Sequence, residues 1–170
     1  MGSSYAHQDY ATAMGASYSS GDYSTAMGNS EAIGNTATAM GTGSALGSYS
    51  TAMGSGSASG PYSTAMGVGI ASGSHSIASG TSTASGQYST ALGQSNTATA
   101  SYSTALGAGS KASGSYSTAM GRGTASGMYS TAAGCYAETQ TYSSFAVGRY
   151  NSISGSGTSW LDLDPLFLVG

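Results

Sequence analysis

The sequence predicts an all-β protein, a parallel β-solenoid with coils of 13 to 14 residues. Three observations predict it. Glycine recurs at Gly15, Gly28, Gly41, Gly54, Gly67, Gly80 and Gly93 at steps of 13, then at Gly107, Gly121, Gly134 and Gly148 at steps of 14, 14, 13 and 14. Between these glycines residue type alternates with period two, the period of a strand. Only 5% of residues are charged, against about 25% in ordinary globular domains.

The unit Tyr-Ser-Thr-Ala-Met-Gly stands intact at Tyr23–Gly28, Tyr49–Gly54, Tyr62–Gly67 and Tyr116–Gly121. A weaker copy lies between main units and ends at Gly21, Gly34, Gly47, Gly60, Gly73, Gly86, Gly114 and Gly127, with Ala100 in the one missing place. Each coil therefore holds two half-units, too short for helices and read as two strands of roughly five residues, a usual strand length. Glycine suits the corners because it accepts a positive φ without steric cost. Stacked at the strand spacing of about 4.8 Å, about eleven coils give a rod on the order of 50 Å long.

Alternation sorts the side chains into two faces. Ser24 and Ala26 share one, and Thr25 and Met27 the other, so a narrow interior of small residues is expected. One place before the main glycine stand Met14, Met27, Met40, Met53, Met66, Leu92, Leu106, Met120 and Val147, with Ser79 and Ala133 as exceptions. The equivalent column of the second strand is mostly polar: Ser20, Ser59, Ser72, Ser85, Thr99, Ser113 and Ser126, broken by Ile33 and Leu46. Ala and Met cannot both point into so thin a coil. The Met/Leu stripe reads either as core inside the solenoid or as an oligomer interface, and the interface is expected, since an uncovered apolar stripe of that length invites aggregation. Three rods closing their stripes around one axis would give a closed cyclic assembly.

Five places before the main glycine runs a tyrosine column, Tyr10, Tyr23, Tyr49, Tyr62, Tyr88, Tyr102, Tyr116 and Tyr129, interrupted by Thr36 and His75. It reads either as rings stacked along a coil edge or as an aromatic ladder offered to glycans or neighbouring fibres. A threonine column, Thr12, Thr25, Thr38, Thr51, Thr64, Thr90, Thr104, Thr118 and Thr131, raises ice binding as a remote alternative. Its partner column two residues on is Met, and the pairs Thr83/Ser85, Thr97/Thr99 and Thr124/Ser126 of the second sheet are broken by Glu31, Ile70 and Lys111.

Composition excludes several classes. Three Lys+Arg against six Asp+Glu leave no basic footprint for nucleic acid. No apolar run approaches the roughly 18 residues that span a membrane. A composition this rich in Gly and Ser suits disorder, but a strict period at a net charge of only −3 does not. Cys135 is the single cysteine, so neither an intramolecular disulfide nor a Cys-based metal site is available. No catalytic grouping stands out. His7 and His75 lie far apart, the glycine-rich stretches lack a phosphate-loop lysine, and no Ser/His/Asp set rises above the hydroxyl background. Neither an enzyme nor a cofactor is expected.

The half-units Ser24–Gly28, Ser76–Gly80, Ser89–Gly93 and Ser103–Gly107 resemble the head repeats of trimeric autotransporter adhesins, and similar repeats occur in phage tail fibres. The resemblance spans roughly residues 1–155. It implies a left-handed parallel β-roll, a homotrimeric fibre, a bacterial cell-surface or extracellular location (a virion tail in the alternative), and a structural or adhesive role. Its partners would be itself, end to end in a filament if the rods join, and a host surface or glycan. Met where such repeats more often have Val or Ile, and the many Tyr, depart from that pattern. Residues 156–170 carry no Ala-x-Gly unit and are similar to the Trp…Asp-Pro-Leu-Phe segment that follows such repeats. Trp160, Pro165 and Phe167 are expected to belong to a cap over the open sheet edge, which solenoids require. Gly2 lies 13 residues before Gly15, so Met1-Gly2 reads as part of a repeat within a longer chain.

Overall fold

The computed structural model describes residues 3–159, 161–162 and 164–170. The register expected for Met1-Gly2 and the capping role expected for Trp160 fall outside these residues. The chain winds through about eleven turns of parallel β-solenoid, with no helix among the described residues. Among the described residues two sheets of 12 parallel strands each run the length of the rod, and every strand except those at the sheet ends pairs with its equivalent one coil before and one coil after. Main glycines pair with main glycines throughout, as in Gly54↔Gly67 and Gly67↔Gly80.

The two strands of a coil are not equal. One sheet is made of strands of four or five residues, such as Thr25–Gly28 and Thr90–Gln94, with a three-residue strand, Phe167–Val169, at its end. The other is made of two-residue strands, such as Glu31–Ala32 and Ser57–Ala58. Two strands of about five residues were expected. The second is cut short because its half-unit enters a turn at once, ending at a tyrosine in the left-handed region: Tyr23 at φ 56° and Tyr49 at φ 59°.

The interior is as narrow as the alternation implies. Ala26, Ala39, Ala52 and Ala65 of the long strands and Ala32, Ala45, Ala58 and Ala71 of the short strands are fully buried in one cluster. Ser24, Ser50, Ser63 and Ser76 complete it at the corner. Methyl groups meet across the coil, so nothing larger than Ala or Ser fits along most of the rod. Toward the C-terminal end the bore admits Thr139, Thr141 and Ile153.

The two glycine columns serve different ends. The main glycines hold positive φ, from +70° at Gly67 to +131° at Gly134. The weaker column does not, although positive φ was expected at both corners. In both columns a Cβ would run into the backbone carbonyl of the next coil, as at Gly28 against Gly41 and at Gly34 against Gly47. In the weaker column glycine permits close stacking of the coils, and the positive φ passes to the residue two places on, Thr36 after Gly34, His75 after Gly73 and a tyrosine in most coils.

Beyond Ile153 the described residues return to the sheet as the strand Phe167–Val169, which pairs in parallel with Phe145–Arg149. Phe167 stacks on Phe145 at 5.4 Å, and the Phe145 N–H donates to the Leu166 carbonyl. The Thr141 hydroxyl donates to the Pro165 carbonyl at 3.4 Å. The Asp164 carboxylate accepts from the N–H groups of Ser156 and Leu161 and so ties the returning loop together.

Candidate interaction surfaces

Three longitudinal features of the rod carry chemistry. The first lies on the outer face of the long-strand sheet. With Ala fixed inward, the next residue must point out, and Met14, Met27, Met40, Leu92 and Met120 are exposed, while Met53, Met66, Leu106 and Val147 are half-buried. Neighbouring coils place these side chains directly in register, as in Met27↔Met40, Met40↔Met53 and Leu92↔Leu106. Ser79 and Ala133 pair into the same column, Ser79 between Met66 and Leu92 and Ala133 between Met120 and Val147. The outcome is one apolar stripe along the rod, flanked on the same face by the half-buried threonines Thr25, Thr38, Thr51 and Thr64.

The second feature is the tyrosine column at the corner after the short strand. Tyr49, Tyr62, His75, Tyr88, Tyr102, Tyr116 and Tyr129 form one continuous stack with centroids 4.7 to 4.9 Å apart. The coil repeat of about 4.8 Å is itself a ring-stacking distance, so a ring at the same corner of every coil stacks without adjustment. His75, which the sequence shows as an interruption, is a rung. Its imidazole lies 4.7 Å from both Tyr62 and Tyr88. Thr36 does break the column and leaves Tyr10–Tyr23 as a separate pair. Beyond Tyr129 the left-handed place falls to Ser143, and Tyr142, one residue earlier, meets Tyr129 edge-on. Rings inside the stack cover one another's faces and turn their edges and hydroxyls to solvent.

The third feature, which alternation and spacing did not single out, is the corner after the main glycine. Coils of 14 residues carry one extra residue there, two places after the glycine and in the left-handed region, Ser95, Gly109 and Tyr136, and Tyr150 takes the same place after Gly148. The signal in the sequence was the change of step from 13 to 14. In these coils the next residue can anchor the corner. Buried Asn96 donates to the carbonyls of Leu92 and Gly107 at 2.6 and 2.7 Å, and its side-chain oxygen accepts from the Ser110 N–H at 2.8 Å. Arg122 and Arg149 lie on this corner over Tyr136 and Tyr150, at 5.0 and 4.9 Å from the ring centres.

A two-copy family model of the YadA head domain repeat matches residues 6–30, 84–110, 101–124 and 112–137. These four segments are similar to YadA head domain repeats. The intervening coils, outside those matches, keep the same pairing and the same column chemistry, as Ala45↔Ala58 and Met53↔Met66 show. The YadA head repeat is an adhesin-type structural fold, and heads of this kind are exposed at the cell surface and self-associate. No curated protein matches the chain. Among the described residues no group of three or more His, Cys, Asp or Glu is placed to hold a metal ion, and no helix is long and apolar enough to cross a membrane.

Proposed function

We propose that the chain is a structural and adhesive subunit of an extracellular fibre, three copies of which associate through the stripe Met14, Met27, Met40, Met53, Met66, Leu92, Leu106, Met120 and Val147. The observation that carries this reading is the stripe itself, in register along the long-strand sheet of a rod whose own interior is already filled by Ala and Ser. These side chains have no core to enter. Burial of apolar area stabilises by about 25 cal/mol per Å², and only a second copy offers a matching apolar column at the same 13- to 14-residue step. Cyclic closure lets each rod present one stripe to a shared axis and leaves the tyrosine corner and the short-strand sheet for contact with a host surface or glycan.

Extended strands stacked along one axis suit a mechanical role, since each coil is tied to the next by backbone hydrogen bonds at every strand residue. Sedimentation velocity tests the assembly. A species near three times the 16.5 kDa chain mass supports it, and a monomer at micromolar concentration refutes it. Adhesion is tested separately by the binding of beads coated with the protein to host-cell surfaces.

A further inference from the structure

Only one coil in the C-terminal half of the repeat region lacks the extra corner residue. The step from Gly121 to Gly134 is 13, whereas those that begin at Gly93, Gly107 and Gly134 are 14. On one side of this short coil, Ser95 and Gly109 project at φ 55° and 81°, and on the other Tyr136 projects at φ 61°. The short corner is thus set back between longer ones, and the exposed Arg122 follows its glycine. Two recesses open there. One of about 260 Å³ is lined by Gln94, Ser95, Ala108, Gly109 and Arg122. The other, of about 160 Å³, is lined by Arg122, Thr124, Tyr136, Ala137 and Glu138.

We propose that the larger recess is a binding site for a single acidic sugar residue, with the Arg122 guanidinium as partner for its carboxylate. The recess is smaller than the roughly 300–1,000 Å³ typical of sites for drug-sized ligands, which suits one sugar ring. Its chemistry fits in kind. The Gln94 amide can both donate to and accept from neighbouring hydroxyls, and Ser95 does the same with one group. Ala108 and the bare Gly109 backbone give an apolar patch for the C–H face of the ring, and no heavy atom lies within 4 Å of where a Cβ on Gly109 would project. Arginine pairs with a carboxylate through two parallel hydrogen bonds. Tyr136 beneath the guanidinium restrains it by a cation–π contact at 5.0 Å. Glu138 lines the smaller recess with Arg122, and no acidic residue lines the larger one. Arg149 is held over Tyr150 in the same way, and Arg122 differs from it in lining these recesses.

Isothermal titration of the assembled protein with methyl glucuronide tests this, with methyl glucoside and sodium sulfate as separate arms. Weak binding of the glucuronide, with a dissociation constant on the order of 1 mM, is expected, and the neutral glucoside should bind at least about tenfold more weakly. Arg122→Gln should weaken glucuronide binding by about tenfold or more. A variant with one glycine inserted between Arg122 and Gly123 keeps the arginine but lengthens the corner to match its neighbours, and should also lose binding. Arg122 is exposed, and circular dichroism and the melting midpoint report that both variants keep the fold. No glucuronide binding at tens of millimolar, equal binding of glucoside and glucuronide, or full binding by Arg122→Gln would each overturn the site. Sulfate binding as tightly as the glucuronide would overturn its selectivity for a sugar, and so would glucuronide binding by the insertion variant.

Discussion

The imidazole of His75 lies parallel to the ring of Tyr62, 4.7 Å away at an interplanar angle of 11°, and both residues sit in the left-handed region, at φ 57° and 58°. Two energies oppose each other at every rung. A non-glycine residue in this conformation costs roughly 1–2 kcal/mol, and ring stacking returns about 0.5–1.5 kcal/mol beyond area burial. Tyr88→Ala keeps the backbone cost and loses both stacking partners, so it should destabilise by about 1–2 kcal/mol. Tyr88→Gly loses the same rings but removes the backbone cost, and should be the milder of the two. Thermal unfolding midpoints of the two variants check the order. A lower midpoint for the glycine variant would mean that the corner is not under left-handed strain.

Glycines of the rod separate strain from close contact. At Gly80 φ is +78° and a Cβ would run into the Gly93 carbonyl oxygen, whereas at Gly109 φ is +81° and the space is open. Gly109→Ala should cost about 1–2 kcal/mol, the left-handed penalty alone. Gly80→Ala adds the displacement of a neighbouring coil, about 1–3 kcal/mol more, and should lower the melting midpoint further. Equal midpoints would show that the coils yield freely along the rod axis.

Buried polar groups of the bore fall into two kinds. The hydroxyls of Ser50, Ser63, Ser76, Ser89 and Ser117 are buried without a hydrogen-bond partner, and Ala37 occupies the same column as a fully buried residue. Ser63→Ala removes an unsatisfied group and should be neutral or stabilising by up to about 1 kcal/mol. Asn96→Ala strands the carbonyls of Leu92 and Gly107 and the Ser110 N–H, and should cost about 2–4 kcal/mol. Denaturant midpoints for the pair distinguish the two, and a destabilised Ser63→Ala would mean that its hydroxyl has found a partner.

Much of this was written in the period. Gly15 to Gly148 set the coil, and the Ala26/Met27 alternation set inside and outside, because strand geometry leaves each residue one of two directions. Column chemistry could be read because each column repeats about eleven times. What could not be read depends on backbone conformation that residue type conceals. Tyrosine is not a residue whose identity signals positive φ, so Tyr23 and Tyr49 did not announce that they end the short strand. Gly34 and Gly28 look alike in sequence, yet a neighbouring carbonyl crowds both and only Gly28 also holds a positive φ. The notch at Arg122 arises from one residue fewer in one coil than in its neighbours. Only stacking converts that difference into a recess.

The stripe on the long-strand sheet gives the sharpest test of assembly. Met27, Met53 and Met66 belong to that one outward column, and none of them is in the fully buried cluster. Replacing all three with Asp therefore leaves the Ala/Ser bore and the backbone ladder intact, so the coil should keep its β circular dichroism. In an assembly closed through the stripe, three rods would bring nine carboxylates together around one axis. Each would have to lose its hydration without a cation to pair with, at a cost of several kcal/mol per ion. The triple variant should sediment as a folded monomer. An assembly of unchanged size would place the interface on another face, and loss of the β spectrum would show that the stripe supports the coil itself.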